Sequence, residues 1–437
     1  MSGSLGELLE LSKRVADAIN EHDYVRLISH NDADGLSAAG IMCNALHRKG
    51  IIFQATIVST FEQSTIELIE KTAKGAVILC DMGSSQVELA SKLKEAIIID
   101  HHKPTGELKH VQFNPHLVGI DGATQVCASC GAYLVARQMG ENSDLAGLAV
   151  VGAIGDKQPM NGSNKFILDE AVEKKVVTVK RGLRMGDEPI EELLEYGIDP
   201  YFDITGDRDK IKVFLDRLRI KERLSLSQLS EEQLIKFSSA IILKLAKQNP
   251  HAIDSLIGET YILNNEVISN TFDFVNIQNA CGKMEKAGLC LALCMRDASV
   301  AEEARACTRE HQRSLVETVK KAQAGIKSGR NLRYVLLDDL SGGGIIAGTM
   351  TRYLYPDKVF IALNQVEDKV KVSSRGTRKL VASGLDLAAA MRDASAEVGG
   401  TGGGHDVAAG ATIPKGTAMK FIDAVDSIIE KQLKGKA

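Results

Sequence analysis

The apolar positions of this chain follow two rhythms. Short unbroken runs rich in Val and Ile read as buried strands: VRLISH (25–30), IIFQATIV (51–58), AVILC (76–80) and AIIID (96–100). Between them, apolar residues recur every three or four positions at 36–49, 61–73 and 86–95, which predicts amphipathic helices. Apolar strands alternating with helices predict an α/β domain with a doubly wound, mainly parallel sheet. In such sheets ligands bind beyond the carboxyl ends of the strands, which is where the polar clusters of this chain fall. Helical patterning continues through 122–139, 144–155 and 167–196.

The tract from 200 to 270 changes character: it is charged, helix-rich and short of strand signals, and reads as an insertion. Apolar patterning resumes in VISNTFDFVNIQNACGKM (267–284), and 298–328 reads as one long polar-faced helix of the kind that bridges domains. LRYVLLDDL (332–340), KVFIALNQ (358–365) and KVKVSSRG (369–376) then restore alternating strands and helices. The expected division is a catalytic domain at 1–200, an inserted module and candidate partner-docking region at 201–297, and a connecting helix at 298–330. A second, smaller α/β domain, at 331–437, is expected across a cleft from the first.

Composition narrows the chemistry. With 437 residues, 44% hydrophobic and 25% charged, the chain can bury sizeable cores. Its 53 basic residues against 57 acidic ones leave a net charge of −4, so no global basic field exists to hold nucleic acid. Such a substrate must be gripped by a local patch, by metal ions or by backbone amides. Trp is absent and aromatics make up 4%, which argues against a base-stacking platform; phosphate is the expected handle. Early acidic residues and the lack of a long apolar run predict neither signal peptide nor membrane span, hence a cytoplasmic protein. The eight cysteines lie mostly in apolar runs, as reduced thiols do. Cys127 and Cys130 have CxxC spacing, but they sit in a helical pattern with no second pair, which reads as packing.

Four expected strand or helix ends present acids and histidines: His30, Asp32 and Asp34 in HNDADG; Asp81 in LCDMGSS; Asp100, His101 and His102; and Asp156 in VGAIGDK. An isolated Asp at such an end is most often a helix N-cap. Four such clusters facing one cleft would each need a separate structural reason. Carboxylates mixed with imidazoles suit two divalent ions, Mn²⁺ ahead of Mg²⁺, and the absence of Cys argues against structural zinc. Two ions about 3.5–4 Å apart can activate a water and neutralise charge on a phosphoryl group. Asp81, alone on its strand end, is the natural bridging carboxylate. The remaining histidines, at 22, 47, 110, 116, 251 and 311, show no ligand pattern.

HNDADG, ILCDMG, IIIDHH and GAIGD, in that order, resemble the DHH phosphoesterase superfamily, and Gly399–His405 resembles its C-terminal DHHA1 substrate domain. Within that superfamily the chain is similar to the archaeal RecJ-like nucleases, including the GINS-associated nuclease. The resemblance implies metal ligands at His30, Asp32, Asp34, Asp81, His101 and Asp156. One ion would take His30 and an acid of its motif, the other the second acid with His101 and Asp156, and Asp81 would bridge. Asp100 is implied as support for the neighbouring imidazoles, and His102 as the group facing the scissile phosphate, a charge stabiliser or an acid for the leaving oxygen.

Gly402, Gly403 and Gly404 with His405 are implied to grip a phosphate, since glycine amides can close around an anion. Arg375 resembles the family's substrate-gripping arginine, with Arg378 beside it. Asn279 to Met284 resembles a RecJ-type Asn-Ala-Ala-Gly-Arg element, which implies substrate binding by Asn279 and Lys283; Lys283 stands where Arg is usual, and Lys supplies charge but no bidentate fork. Ser341–Gly344 reads as a tight turn. The implied activity is a metal-dependent exonuclease on single-stranded DNA or RNA that releases nucleoside monophosphates in DNA replication or repair. The alternatives are a phosphodiesterase for short RNA or small nucleotides, and a replication scaffold binding GINS and the replicative helicase.

Overall fold

The computed structural model describes residues 4–72, 74–338 and 342–434. The chain divides into two compact units, one made of residues up to 186 with 258–311, the other of 187–257 with the residues from 312 onward.

The first unit opens with α1 (Leu5–Asn20), whose Ser4 and Glu7 form a capping box. There follow β1 (Tyr24–His30), α2 (Ala33–Lys49), β2 (Ile52–Val58), α3 (Gln63–Thr72), β3 (Ala76–Cys80), α4 (Val87–Ala90), β4 (Ala96–Ile99) and β5 (Val111–Phe113). The five strands pair in parallel in the order β2-β1-β3-β4-β5. Strand β3 shows how the pattern works: Ile78 and Cys80 join the core containing α1 and α2, while Val77 and Leu79 join a second core with Ile66 and Ile69 of α3. Each fully buried Leu or Ile contributes roughly 1.5–3 kcal/mol, so both faces need a helical cover. The order of the strands reverses between β1 and β3, and the carboxyl ends of those two strands and of β4 carry His30, Asp81 and Asp100.

Beyond β5 come α5 (Ala128–Met139), α6 (Ala146–Gly155) and α7 (Gly162–Glu173), and then β6 (Val177–Leu183). Here the structure differs from the expected helical run over 167–196. Lys175, at a φ of 58°, turns the chain out of α7, and the β-branched run Val176-Val177-Thr178-Val179 extends as a strand. Next in the chain are α8 (Ile190–Tyr196), α9 (Arg208–Leu218), α10 (Glu231–Gln248) and α11 (Ile253–Leu256), all in the second unit. The chain then forms β7 (Ile257–Leu263), which pairs with β6, followed by α12 (Thr271–Lys283) and α13 (Ala287–Cys294), which pack into the first core. The stretch expected as one inserted module is therefore divided between the two units, and it contains a strand.

Helix α14 (Ala301–Ala324) is the long polar-faced helix. After it come β8 (Lys327–Ser328), β9 (Leu332–Asp338), α15 (Gly343–Thr349), β10 (Val359–Val366), β11 (Lys369–Arg375), α16 (Arg378–Ala382), α17 (Leu387–Ala396), β12 (Thr401–Gly404), β13 (Ala408–Pro414) and α18 (Ala418–Lys434). Six strands pair as β12-β13-β11-β10-β9-β8, with β9 and β10 parallel and the other pairs antiparallel. Val370 and Val372 of β11 bury against α17 and α18. In the expected turn at 341–344, Ser341 lies outside the described residues. Gly342, at a φ of 94°, caps α15, so Gly343 and Gly344 open a helix.

Candidate metal centre

At the end of β1, the Ser29 hydroxyl donates to the carbonyl of Gly35, 2.6 Å away, and folds the chain directly into α2. Asp32 caps that helix: its Oδ1 accepts from the Gly35 amide at 3.0 Å, which leaves Oδ2 3.0 Å from His30 Nδ1. Asp34, one residue into α2, is fully buried. Its two oxygens accept from the amides of Ala128 (2.7 Å) and Ser129 (2.9 Å) at the start of α5, where the helix dipole favours a negative charge. Gly152 of α6 makes room for it, since a Cβ there would lie 2.5 Å from Asp34 Oδ1.

Asp81 leaves β3 with a φ of 59°, in the left-handed region that few non-glycine residues occupy, and its side chain is buried. Its two oxygens diverge. Oδ2 lies 3.3 Å from His30 Nδ1, and Oδ1 lies 3.3 Å from His101 Nε2 and 3.7 Å from His102 Nδ1. His101 Nε2 is also 3.4 Å from Asp156 Oδ2, at the end of α6, and 3.9 Å from Asp34 Oδ2. The six residues implied as ligands thus fall in two sets, His30-Asp32-Asp81 and Asp34-His101-Asp156, each with its donor atoms within 4.8 Å of one another. A third set, Asp81-His101-His102, overlaps both. Among the described residues no other such group forms.

The DHH triplet is held by Asp100, which is fully buried at the end of β4. Its Oδ2 accepts from the Ser84 amide at 2.8 Å, and its Oδ1 from the amides of His101 (2.8 Å) and His102 (3.1 Å) and from His102 Nδ1 (2.8 Å). With Nδ1 so engaged, His102 Nε2 has no hydrogen-bond partner among the described residues and lies at a half-exposed edge. His101 donates from Nδ1 to the carbonyl of Gly122, 2.7 Å away, which presents Nε2 to the cluster. Gln158 donates to the same carbonyl, and Asn114 ties the Ser84 hydroxyl to the His102 carbonyl. Sequence reasoning missed Ser84, Asn114, Gly122 and Gln158. Ser84 and Gly122 act through a backbone amide and a carbonyl, Asn114 and Gln158 through side-chain amides that bond backbone carbonyls, and only the glycine at 122, where a Cβ would come 2.0 Å from the His101 carbonyl, left a trace.

Electrostatics fit a pair of divalent cations. Asp32, Asp34, Asp81 and Asp156 are four carboxylates in one pocket, and Asp81 Oδ1 is buried with no hydrogen-bond donor aligned on it. Without a cation the cluster retains protons. Burial works against charge on His30 and His101, yet Asp32 and Asp81 hold His30 up at about 10, and Asp81, Asp34 and Asp156 hold His101 up at about 11. Burial raises Asp81, and burial with the neighbouring Asp34 raises Asp156. Asp32, despite its burial, is drawn down to about 2 by His30. Two divalent ions would balance four carboxylates and leave both imidazoles neutral.

Of the implied substrate contacts, Asn279 and Lys283 belong to the first unit, and Arg375, Gly402, Gly403, Gly404 and His405 to the second. Asn279, on α12, accepts the Ala33 amide on its Oδ1 at 3.1 Å, and Lys283 is exposed on the last turn of α12. Arg375 ends β11 in the second unit, partly buried. Among the described residues its guanidinium bonds only the Ser374 carbonyl, and burial with the nearby Arg352 lowers its proton affinity. The glycine run takes an extended form. Thr401–Gly404 is an edge strand paired with β13, because glycine at 402 and 404 permits close backbone approach: Cβ atoms there would lie 2.5 Å from the Met391 carbonyl and 2.6 Å from Ala409 Cα. His405 follows it, exposed.

Residues 24–153 match the N-terminal domain of the DHH family, and residues 343–431 match the DHHA1 domain. An uncharacterised protein of Methanocaldococcus jannaschii is 34% identical over 448 residues, covering 99% of this chain and 100% of that protein. The single-stranded-DNA-specific exonuclease RecJ of Bacillus subtilis is 25% identical over 264 residues, 55% of this chain and 34% of the exonuclease, so the alignment spans about a third of that relative. Two solved structures share the fold at a TM-score of 0.61. RecJ of Thermus thermophilus in complex with Mn²⁺ is 17% identical over 97% of this chain and 55% of its own. CDC45 of Entamoeba histolytica is 14% identical over 96% of this chain and 97% of its own. At such identities the likeness bears on the fold alone.

Proposed function

The chain belongs to the DHH/DHHA1 family and is RecJ-like; from that membership we propose that it is a metal-dependent exonuclease hydrolysing single-stranded DNA or RNA to nucleoside monophosphates in DNA replication or repair. The observation that carries the reading is Asp81, whose two oxygens stand 3.3 Å from His30 and 3.3 Å from His101, as a carboxylate shared between two sites must. A divalent pair, Mn²⁺ preferred and Mg²⁺ the alternative, supplies water activation and charge neutralisation when bound. His30, Asp32 and Asp81 would hold one ion, and Asp34, His101 and Asp156 with Asp81 the other. Asp100 fixes the His102 ring through Nδ1, so that Nε2 faces outward to stabilise the scissile phosphate or to protonate the leaving oxygen. Arg375, partly buried with no described carboxylate on it, is suited to a backbone phosphate, with the amides of Gly402, Gly403 and Gly404 and the His405 ring as further donors. Docking of GINS or the replicative helicase rests on the family resemblance.

The test is hydrolysis of long and short DNA and RNA strands labelled at either end, with Mn²⁺, Mg²⁺ or EDTA, and Asp81→Ala alongside. Stepwise shortening of long strands that is lost in EDTA and in Asp81→Ala is expected. Cleavage confined to the shortest oligomers would replace this reading with a phosphodiesterase of RNA fragments or small nucleotides. No cleavage with any metal would shift the weight to the scaffold.

A further inference from the structure

Helix α12 runs against the loop that carries Asp32 and Asp34, and three consecutive contacts join them. The Asn31 side-chain amide donates to the Gly282 carbonyl at 3.1 Å, Asn279 Oδ1 accepts from the Ala33 amide at 3.1 Å, and the Gln278 amide and Ser37 hydroxyl pair at 3.1 Å. The approach is too close for any other residue at 282, where a Cβ would fall 1.8 Å from the Asn31 carbonyl oxygen. On the other side, a Cβ on Gly155 would come 2.6 Å from Ala33 Cβ. The loop is therefore held between two helices with no slack. Asn31 is buried, and its Oδ1 accepts no hydrogen bond in the structure, so the residue is poorly suited to its pocket except through the bond its Nδ2 makes to α12.

We propose that Asn279, with Asn31, is a positioning residue that clamps the loop Asn31–Asp34 to α12 and so fixes Asp32 and Asp34 for the metal ions; it is not a substrate contact. This deepens the proposed function and rests on the metal site described there. The Ala33 amide sits between the two acids, in the first turn of α2. Removing its acceptor loosens that turn, most at Asp32, since Asp34 is also held by the amides of Ala128 and Ser129. Groups that orient metal ligands in this way typically affect metal affinity about 10–100-fold.

Two measurements on the full-length protein test the clamp. In Asn279→Ala, Mn²⁺ binding by calorimetry is expected to weaken about 10–100-fold. In the metal-free variant, hydrogen exchange of the 31–36 amides is expected to rise about fivefold, the loss of one hydrogen bond. The KM for an oligonucleotide at saturating Mn²⁺ should stay where it was. Asn279→Asp keeps the accepting oxygen, and its loop should exchange as slowly as the wild type. Unchanged loop exchange and Mn²⁺ affinity together with a raised KM would make Asn279 a substrate contact and overturn the proposal. So would an Asn279→Asp loop that exchanges as fast as that of Asn279→Ala. A wild-type protein that binds no Mn²⁺ would overturn the metal reading itself, while the metal-free exchange data would still decide the clamp.

Discussion

Asp81 holds a backbone conformation that costs about 1–3 kcal/mol in an ordinary residue, at the point where two imidazoles meet. The neighbouring side chains divide the remaining tasks, and substitutions should separate them. His102→Ala is expected to lower kcat by about 10²–10⁴-fold while Mn²⁺ still binds, because His102 stands at the edge of the cluster and the other two donor sets do not need it; calorimetry and single-turnover hydrolysis check both halves. The protons held by His30 and His101 set the pH behaviour. Metal must displace them, so Mn²⁺ affinity should rise with pH, with proton release visible as a buffer-dependent heat. The same groups stabilise the metal-free fold with the opposite slope. Their values are raised from 6.5 to about 10 and about 11, so that stabilisation is full below pH 6.5 and fades as pH rises through 10 to 11. Melting of the metal-free protein should show this loss, and melting of the Mn²⁺-loaded protein should not.

Elements place these side chains through very close packing, and α6 is the clearest case. Gly152→Ala would put a methyl 2.0 Å from the Ser129 hydroxyl and 2.5 Å from Asp34, and is expected to cost about 1–3 kcal/mol in a denaturant melt. At the far end of α2, Arg48 and Arg296 both reach Asp144 at 2.7 Å and hold it, against its partial burial, at about 2. That contribution is present above 3.8 and lost as pH falls through 2, so Asp144→Asn should cost about 1 kcal/mol at neutral pH, with the gap to wild type closing in acid. What the sequence revealed of all this depended on range. The strand ends were legible because each apolar run stops at an acid or histidine a few residues on. The β6–β7 pair was not, since Val177–Leu183 finds its partner some eighty residues later, across a tract whose pattern is helical. The glycine run was legible as a place where side chains are excluded, and at 402 and 404 a neighbouring backbone leaves no room for one. Asn279 matched a family element by its letters, while its bond is to an amide 246 positions away.

On the scale of the molecule, metal should act on one unit only. At about a thousandfold excess over its Kd, Mn²⁺ stabilises whatever binds it by about 4 kcal/mol. Calorimetric scans are expected to show one of two transitions moving up with Mn²⁺ and back with EDTA, the same transition that Gly152→Ala lowers, since every proposed ligand lies in the unit that ends at 311. Movement of both transitions together would mean that the two units unfold as one. The position of α12 in the chain has a consequence for synthesis. A ribosome that has released the first two hundred residues has delivered every proposed ligand, yet the helix that clamps the Asn31–Asp34 loop is still to be made. The nascent protein must wait for the detour through 187–257 to be completed before α12 can close over the loop. Contacts of such sequence separation are slow to form. The centre should therefore mature after translation has passed residue 283, and the emerging chain meets its ions with an unfinished grip.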